Sequence, residues 1–470
     1  MGFASTFAFL SLVDGADTTD NITSFGWDNA GIAVAVSLVI GTGLGIAEGK
    51  LSRLPSAPPR ERRPGSRGCA SMVHPTRASR QTPGLSARRH DVYFDLVSDR
   101  GMNYTLNRSL ADGVATKRLE RARELAPKLT DFDAWSSIWL EEARRAEAEE
   151  RWLDAAHWYH NAEFYLPAGD TRNGLYDDFQ RVWGKALEGL EGIERIEVPY
   201  ENGVLPGYRL PAKNEVATVI AHGGYDSFIE EWLPFAQPMT DAGVTVIAFD
   251  GPGQGGALRH GLYFTHAWEK PAKAVLDHFG LEEVEWIGAS CGGYLALRAA
   301  AFEPRIKRVV AFPATSWGLD MLLRQATAGQ DHRLLSLFLG GHRDEVNGLA
   351  AQQCDPKVNA NTNFSWCVTQ GMHITGTSTP YDLMEHLSKH SLEGVLQNVT
   401  QDVLLTEGEN DHLFPISRIG DIMAELACAK SVSARIFTAR EGGEQHCQVG
   451  NGALARAEFV SWLARFRERD

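Results

Sequence analysis

The run Gly288-Ala289-Ser290-Cys291-Gly292 centres a serine in a G-x-S-x-G pattern, between an apolar strand-like stretch and a helical one. The chemistry this spacing allows is attack of a hydroxyl on a carbonyl. The serine must sit on a sharp, strained turn, and only small residues two before and two after let strand and helix approach that closely. The turn lifts the hydroxyl clear. It also aims the helix N-terminus, with the N–H of Cys291, at the reacting oxygen. A second donor is expected from His222-Gly223-Gly224-Tyr225-Asp226, through the N–H of Gly224 or Tyr225. The other reading of those glycines is a tight turn with no donor role.

A serine hydroxyl needs a base, and the base needs an orienting acid. In alternating strand–helix folds that present a serine on such a strand–turn–helix, the acid follows it in the chain and the histidine comes last. After VLLT the chain reads Gly408-Glu409-Asn410-Asp411-His412, and Asp411 is the acid, with Glu409 as runner-up. After ARIFT comes Glu441-Gly442-Gly443-Glu444-Gln445-His446, and His446 alone of the 15 histidines lies in a Gly-rich loop after the last strand. It is the base. His412 is surface or lining, and His222 is structural to its turn. Asp250-Gly251-Pro252-Gly253-Gln254-Gly255 reads as a tight loop at the same rim, because Pro252 interrupts what a dinucleotide fingerprint would need. No cofactor is expected. Six scattered cysteines without a CxxC pair give no support to a zinc site or a disulfide framework.

These residues need a scaffold that brings them to one edge. Apolar strands at 217–221, 244–249, 284–289, 308–312, 403–406 and 434–438 alternate with helical stretches, after two shorter strand-like pieces from about 192. That texture predicts an α/β fold, a mostly parallel sheet covered on both faces, with chemistry at the carboxyl ends of its strands. Residues 91–191 read as a separate helical domain and 192–470 as the catalytic one. Thr130 and Asp133 look like a capping box before a helix whose buried face carries Trp135, Ile138, Trp139, Ala143 and Ala146. A second helix, 152–166, would bury Ala155, Trp158, Tyr159, Ala162 and Tyr165, and a third covers roughly 175–190. The aromatics are core, since no repeat at a fixed period supports a binding array. About 90 residues, holding Trp317, Met321, Phe338, Phe364, Trp366 and Met372, separate the strands at 308–312 and 403–406, so a helical lid is expected at about 314–395; with the leading helices it should enclose a largely apolar pocket. Glu230, Glu231 and Trp232 are placed at the pocket edge; the blander reading is that the glutamates favour a helix N-terminus.

The motifs HGGYDSFIEEW, FDGPGQGG, GASCGGYLA, GENDHLFP and GGEQHCQVGN, with the helical AAHWYHNAEFYLP, carry a resemblance over roughly residues 91–470. The chain resembles the α/β-hydrolase superfamily, and within it the FrsA-like esterases, the 2,6-dihydroxypseudooxynicotine hydrolases and the fungal yellowish-green polyketide hydrolases. The resemblance implies a catalytic triad of Ser290, Asp411 and His446. The group includes esterases, carbon–carbon bond hydrolases and cyclising enzymes. In the carbon–carbon hydrolases a further acidic residue after the nucleophile contacts substrate, and Asp320 is the nearest candidate here. The relatives also suggest a homodimer.

The expected activity is therefore a serine hydrolase cleaving an ester or an activated carbon–carbon bond of the β-diketone type in a hydrophobic small molecule. The alternative is a cyclising, condensing or ligand-binding protein on the same fold. The composition agrees with either: 43% apolar, 23% charged, and a net charge of −14, which disfavours nucleic acid as a partner. Residues 1–90 stand apart. Positions 30–47 are an uncharged run at the lower limit for crossing a bilayer, followed by an Arg-, Pro- and Ser-rich linker. The readings are a single-pass anchor or an extension that never folds. The catalytic body is expected in the cytoplasm.

Overall fold

The computed structural model describes residues 93–110 and 116–468. The candidate anchor at 30–47 and its linker lie outside the described residues. Among those described, no helix is long and apolar enough to cross a membrane.

An eight-stranded sheet organises the molecule, in the order β1-β2-β4-β3-β5-β6-β7-β8. Its strands are β1 (Glu194–Tyr200), β2 (Gly203–Leu210), β3 (Ala217–His222), β4 (Val244–Phe249), β5 (Val284–Ala289), β6 (Ile306–Phe312), β7 (Asp402–Gly408) and β8 (Ser431–Phe437). The β1–β2 and β2–β4 pairings are antiparallel; every pairing from β4 through β3, β5, β6, β7 to β8 is parallel. Every residue of β4 and of β7 is buried, as expected of central strands covered on both faces. The edge strand β1 exposes Arg195 and Glu197 instead, which blunts an unpaired edge. The α/β class and the mostly parallel sheet are as the sequence predicts.

Ahead of the sheet come α1 (Arg100–Arg108), α2 (Thr116–Leu125), α3 (Phe132–Ala148), α4 (Trp152–Phe164) and α5 (Asp170–Leu187). These helices and the sheet fall within one compact unit. The aromatic faces of α3 and α4 are core: Trp135, Trp139 and Trp158 have no exposed surface, and the rings of Trp139 and Trp158 stack at 4.5 Å. Two details differ from expectation. The cap of α3 is Asp131, whose Oδ1 accepts from Ala134 N at 2.8 Å, while Thr130 only donates to that carboxylate. A carboxylate one residue closer to the helix meets the free N–H groups better than the threonine does. The other is α1, which no apolar period announces. Its Asn103 and Asn107 are buried because they accept from the backbone N–H groups of Phe94, Leu96 and Val97, replacing strand partners for that extended segment.

The remaining helices are α6 (Leu233–Asp241), α7 (Gly255–Arg259), α8 (Glu269–Phe279), α9 (Gly292–Phe302), α10 (Gly318–Leu323), α11 (Gln330–Leu339), α12 (Arg343–Cys354), α13 (Thr362–Thr375), α14 (Pro380–Ser388), α15 (Ser417–Glu425) and α16 (Gly452–Arg467). Helices α10 to α14 fill the long stretch between β6 and β7.

Candidate active site

The turn between β5 and α9 is as tight as its glycines require. Ser290 has φ +60°, the left-handed region a serine occupies only when its surroundings force it. A Cβ on Gly288 would lie 1.9 Å from the Gly292 carbonyl oxygen, and one on Gly292 would lie 2.5 Å from that of Gly223. The Ser290 N–H donates to the Phe312 carbonyl at 2.7 Å, tying the turn to the end of β6.

The structure brings Ser290, His446 and Asp411 together across 156 and 35 positions of sequence. His446 Nε2 lies 2.9 Å from Ser290 Oγ, and His446 Nδ1 lies 2.6 Å from Asp411 Oδ2. The other Asp411 oxygen accepts from the N–H groups of Leu413 at 2.7 Å and Phe414 at 2.9 Å. Burial alone would raise the Asp411 carboxyl, but the charge and hydrogen bond of His446, with smaller help from His412 and Glu407, hold it down at about 2. The same pairing acts on His446. Burial disfavours its charged form, yet the Asp411 charge and hydrogen bond raise it well above the ordinary imidazole value. Glu409 is exposed and accepts from Ala439 N instead, so it takes no part in this contact.

One helix clamps both loops. Tyr104 on α1 donates its hydroxyl to the His446 carbonyl at 3.2 Å, and Arg100 of the same helix donates to the Asn410 carbonyl at 2.7 Å. The polar sequence of α1 gave no sign of this.

The β3 loop packs directly under the serine turn. A Cβ on Gly224 would come within 2.6 Å of Cys291 N. Gly224 N–H donates to Ser227 Oγ at 3.2 Å. Tyr225 turns its ring away from the serine, its hydroxyl donating to the Cys367 carbonyl at 2.8 Å, and its own carbonyl accepts from Gln370. The Cys291 thiol is buried and pushed up to about 12, so it stays protonated. His222 is structural as expected: Trp268 Nε1 donates to its Nε2, its Nδ1 faces the Gly223 carbonyl, and burial lowers it to about 4.

A cleft of about 1190 Å³, open mouth included, lies over Ser290 and His446. Phe164, Tyr165, Trp232, Phe235, Phe312 and Trp366 supply much of its wall, with the Arg108, Asp226 and Glu231 side chains on it as well. Arg108 is tied down: its guanidinium donates to both oxygens of Glu231 and to Asp226. His412 lines the cleft, its ring 4.7 Å from that of Tyr104, and burial lowers it to about 3.

Three expected substrate contacts are not in the cleft. Glu230 points the other way from its neighbour Glu231, accepting from Gln180 at 2.7 Å and from the Tyr208 hydroxyl. Successive residues of a tight helical turn cannot share a face. Asp320 is held by Arg418 through contacts of 2.8 and 2.9 Å. Its position in the first turn of α10 directs it toward α15. Trp317 caps α10 and pairs with Ser391 in an isolated bridge. Of the aromatics in the lid stretch, Trp366 is the one that lines the cleft. The pattern alone could not find Gln254. This buried side chain of the DGPGQG loop donates to the carbonyls of Gly223 and Gly224 and accepts from Gly251 N. Among the described residues no group of three or more His, Cys, Asp or Glu is arranged to hold a metal ion.

A family model described as the alpha/beta hydrolase fold matches residues 218–334, from β3 to α11. Hydrolase phmG of Phaeosphaeria nodorum is 30% identical over 334 residues, covering 59% of this chain and 72% of its own. The chain belongs to the α/β-hydrolase family. The 20-hydroxy-prefusarin hydrolase FUS2 of Gibberella moniliformis is 28% identical over 381 residues, covering 71% of this hydrolase and 88% of FUS2. Among solved structures, 2,6-dihydroxy-pseudo-oxynicotine hydrolase superposes with a TM-score of 0.55 at 22% identity, covering 76% of this chain and 94% of that one, a likeness of fold.

Proposed function

We propose that this hydrolase works through a serine acyl-enzyme on a bulky, largely hydrophobic small molecule. The observation that carries the reading is the continuous contact Ser290–His446–Asp411, 2.9 and 2.6 Å, at the floor of an aromatic cleft. His446 takes the Ser290 proton as the hydroxyl attacks a carbonyl, and Asp411 steadies the imidazolium that forms. The N–H groups of Cys291 and Tyr225 receive the developing oxyanion; Gly224 is the weaker candidate because its N–H already serves Ser227. His446 then protonates the leaving group, and water releases the acyl group from Ser290. The leaving group is an alcohol, in an ester, or a carbanion stabilised by its own conjugation, in a β-diketone or acyl-phenol. The relative named for 20-hydroxy-prefusarin supports a small-molecule substrate over a peptide or polysaccharide.

The test is a fluorophosphonate probe together with a panel of p-nitrophenyl esters and aryl β-diketones, applied to the wild type and to Ser290→Ala. The wild type should be labelled and turn over one of the two substrate classes, and the variant should do neither. Equal labelling of Ser290→Ala would end the reading. The substrate class that turns over decides between ester and carbon–carbon cleavage.

A further inference from the structure

Directly behind the Asp411 carboxylate lies a second carboxyl that the reaction above does not use. Glu407, the penultimate residue of β7, has no exposed surface. Its Oε1 accepts from the Gly408 N–H at 3.1 Å, while its Oε2 is buried and meets no donor among the described residues. Its side chain comes within hydrogen-bonding reach of the Asp411 carboxyl. Two carboxyl groups in contact in a buried site cannot both be ionised.

The surroundings decide which one keeps the proton. Asp411 accepts from three N–H groups: His446 Nδ1, Leu413 and Phe414. Glu407 accepts from one. The charged groups acting on Glu407 are Asp411, from the loop after its own strand, and His446, from the loop after β8. We infer that Glu407 is held as the neutral acid and donates its O–H to Asp411, which makes it a positioning residue for the Ser290–His446–Asp411 relay. Its otherwise unpartnered Oε2 becomes the donor oxygen. Asp411 then carries four donors, as many as a carboxylate accepts, and cannot rotate away from His446. Burial, and after it the Asp411 charge, push the Glu407 carboxyl well above its usual range, in the same direction.

Two measurements test this on the full chain. The first is an infrared difference spectrum between wild type and Glu407→Gln at neutral pD, which needs no turnover. Glu230 and Asp250 are also buried carboxyls raised above their usual range, so only the difference is informative. A carboxylic-acid carbonyl band present in the wild type and lost in the variant is expected; its absence from the difference overturns the inference. The second is the rate of fluorophosphonate labelling at Ser290 against pH, and this arm alone rests on the proposed function. Glu407→Gln keeps a neutral donor and should label within about twofold of wild type, whereas Glu407→Leu should be roughly tenfold slower at an unchanged unfolding midpoint. The wild-type rate should fall at alkaline pH as Glu407 ionises, and Glu407→Gln should lack that fall. Equal rates in Glu407→Leu and wild type overturn the positioning role. If the wild type does not label at all, the serine mechanism fails, and the infrared difference still decides the state of Glu407.

Discussion

Gln254 reaches from the loop after β4 to the loop after β3, where its Nε2 donates to the Gly223 carbonyl at 2.8 Å. The same nitrogen donates to Gly224 O at 3.0 Å, and Oε1 is fixed by the Gly251 N–H. With both carbonyls held and the Gly224 N–H given to Ser227 Oγ, the Tyr225 N–H is the donor of this loop that the proposed mechanism leaves for the oxyanion. Gln254→Ala should therefore slow chemistry rather than binding. Loss of an oxyanion donor costs about 10²–10³ in rate; loosening one should cost about tenfold in kcat with KM nearly unchanged. Steady-state kinetics on whichever substrate class turns over checks it.

Gly224→Ala attacks the same contact by crowding. The new Cβ would meet Cys291 N at 2.6 Å and Ala289 O at 2.8 Å, both backbone atoms that cannot yield without moving the turn. Fluorophosphonate labelling should drop by roughly 10²-fold or more, as when an oxyanion donor is lost. A labelling rate equal to wild type would show that the two loops do not cooperate.

The pH profile of labelling follows from His446, which must be neutral to accept the serine proton. Asp411 holds its proton on, so the rate should rise with pH through a midpoint above the ordinary imidazole value of about 6.5. In Asp411→Asn the charge is gone and burial acts alone. The midpoint should then move below that value, and the plateau should fall by roughly 10³–10⁴.

A stability prediction concerns the cluster on the cleft wall. His160 lies between Glu163 at 3.2 Å and Glu231 at 3.5 Å, and although burial opposes the charge, the two carboxylates raise it to about 9. A folded value above the unfolded one, about 6.5, gives stability that is complete below 6.5 and lost as pH rises through 9. Urea unfolding should show that decline in the wild type and a flatter profile in His160→Gln. Arg108→Ala should cost about 3 kcal/mol at neutral pH, because it leaves Asp226 without its cation and Glu231 with His160 alone in a nearly buried place.

What the sequence showed was what local pattern encodes. The strands announced themselves as apolar β-branched runs between glycine-rich turns, and the positions of Ser290, Asp411 and His446 follow from where those strands end. Glu230 and Glu231 show the limit. Both sit at the start of the same helical turn, and only the packing of α1 and α5 decides that Arg108 takes one and Gln180 the other. Asp320 was only the nearest acidic residue to one that relatives carry, and Arg418, 98 positions away, claims it. Glu407 fell just past the expected strand at 403–406 and drew no reading, because nothing local says that the side chain next to it will be Asp411. Helix α1 fell inside the segment read as helical but was not placed individually, since its buried face is largely polar, and polar burial is legible only when its partners are known.

The clamp of α1 on the loops of Asn410 and His446 bears on how far this enzyme can be trimmed. A fragment starting at β1 would still contain all three members of the relay and the whole sheet. It would lack Arg100 and Tyr104, and with them the outside grip on two loops whose mutual spacing the chemistry depends on. In the proposed mechanism the segment that looks like an accessory is thus part of the tool.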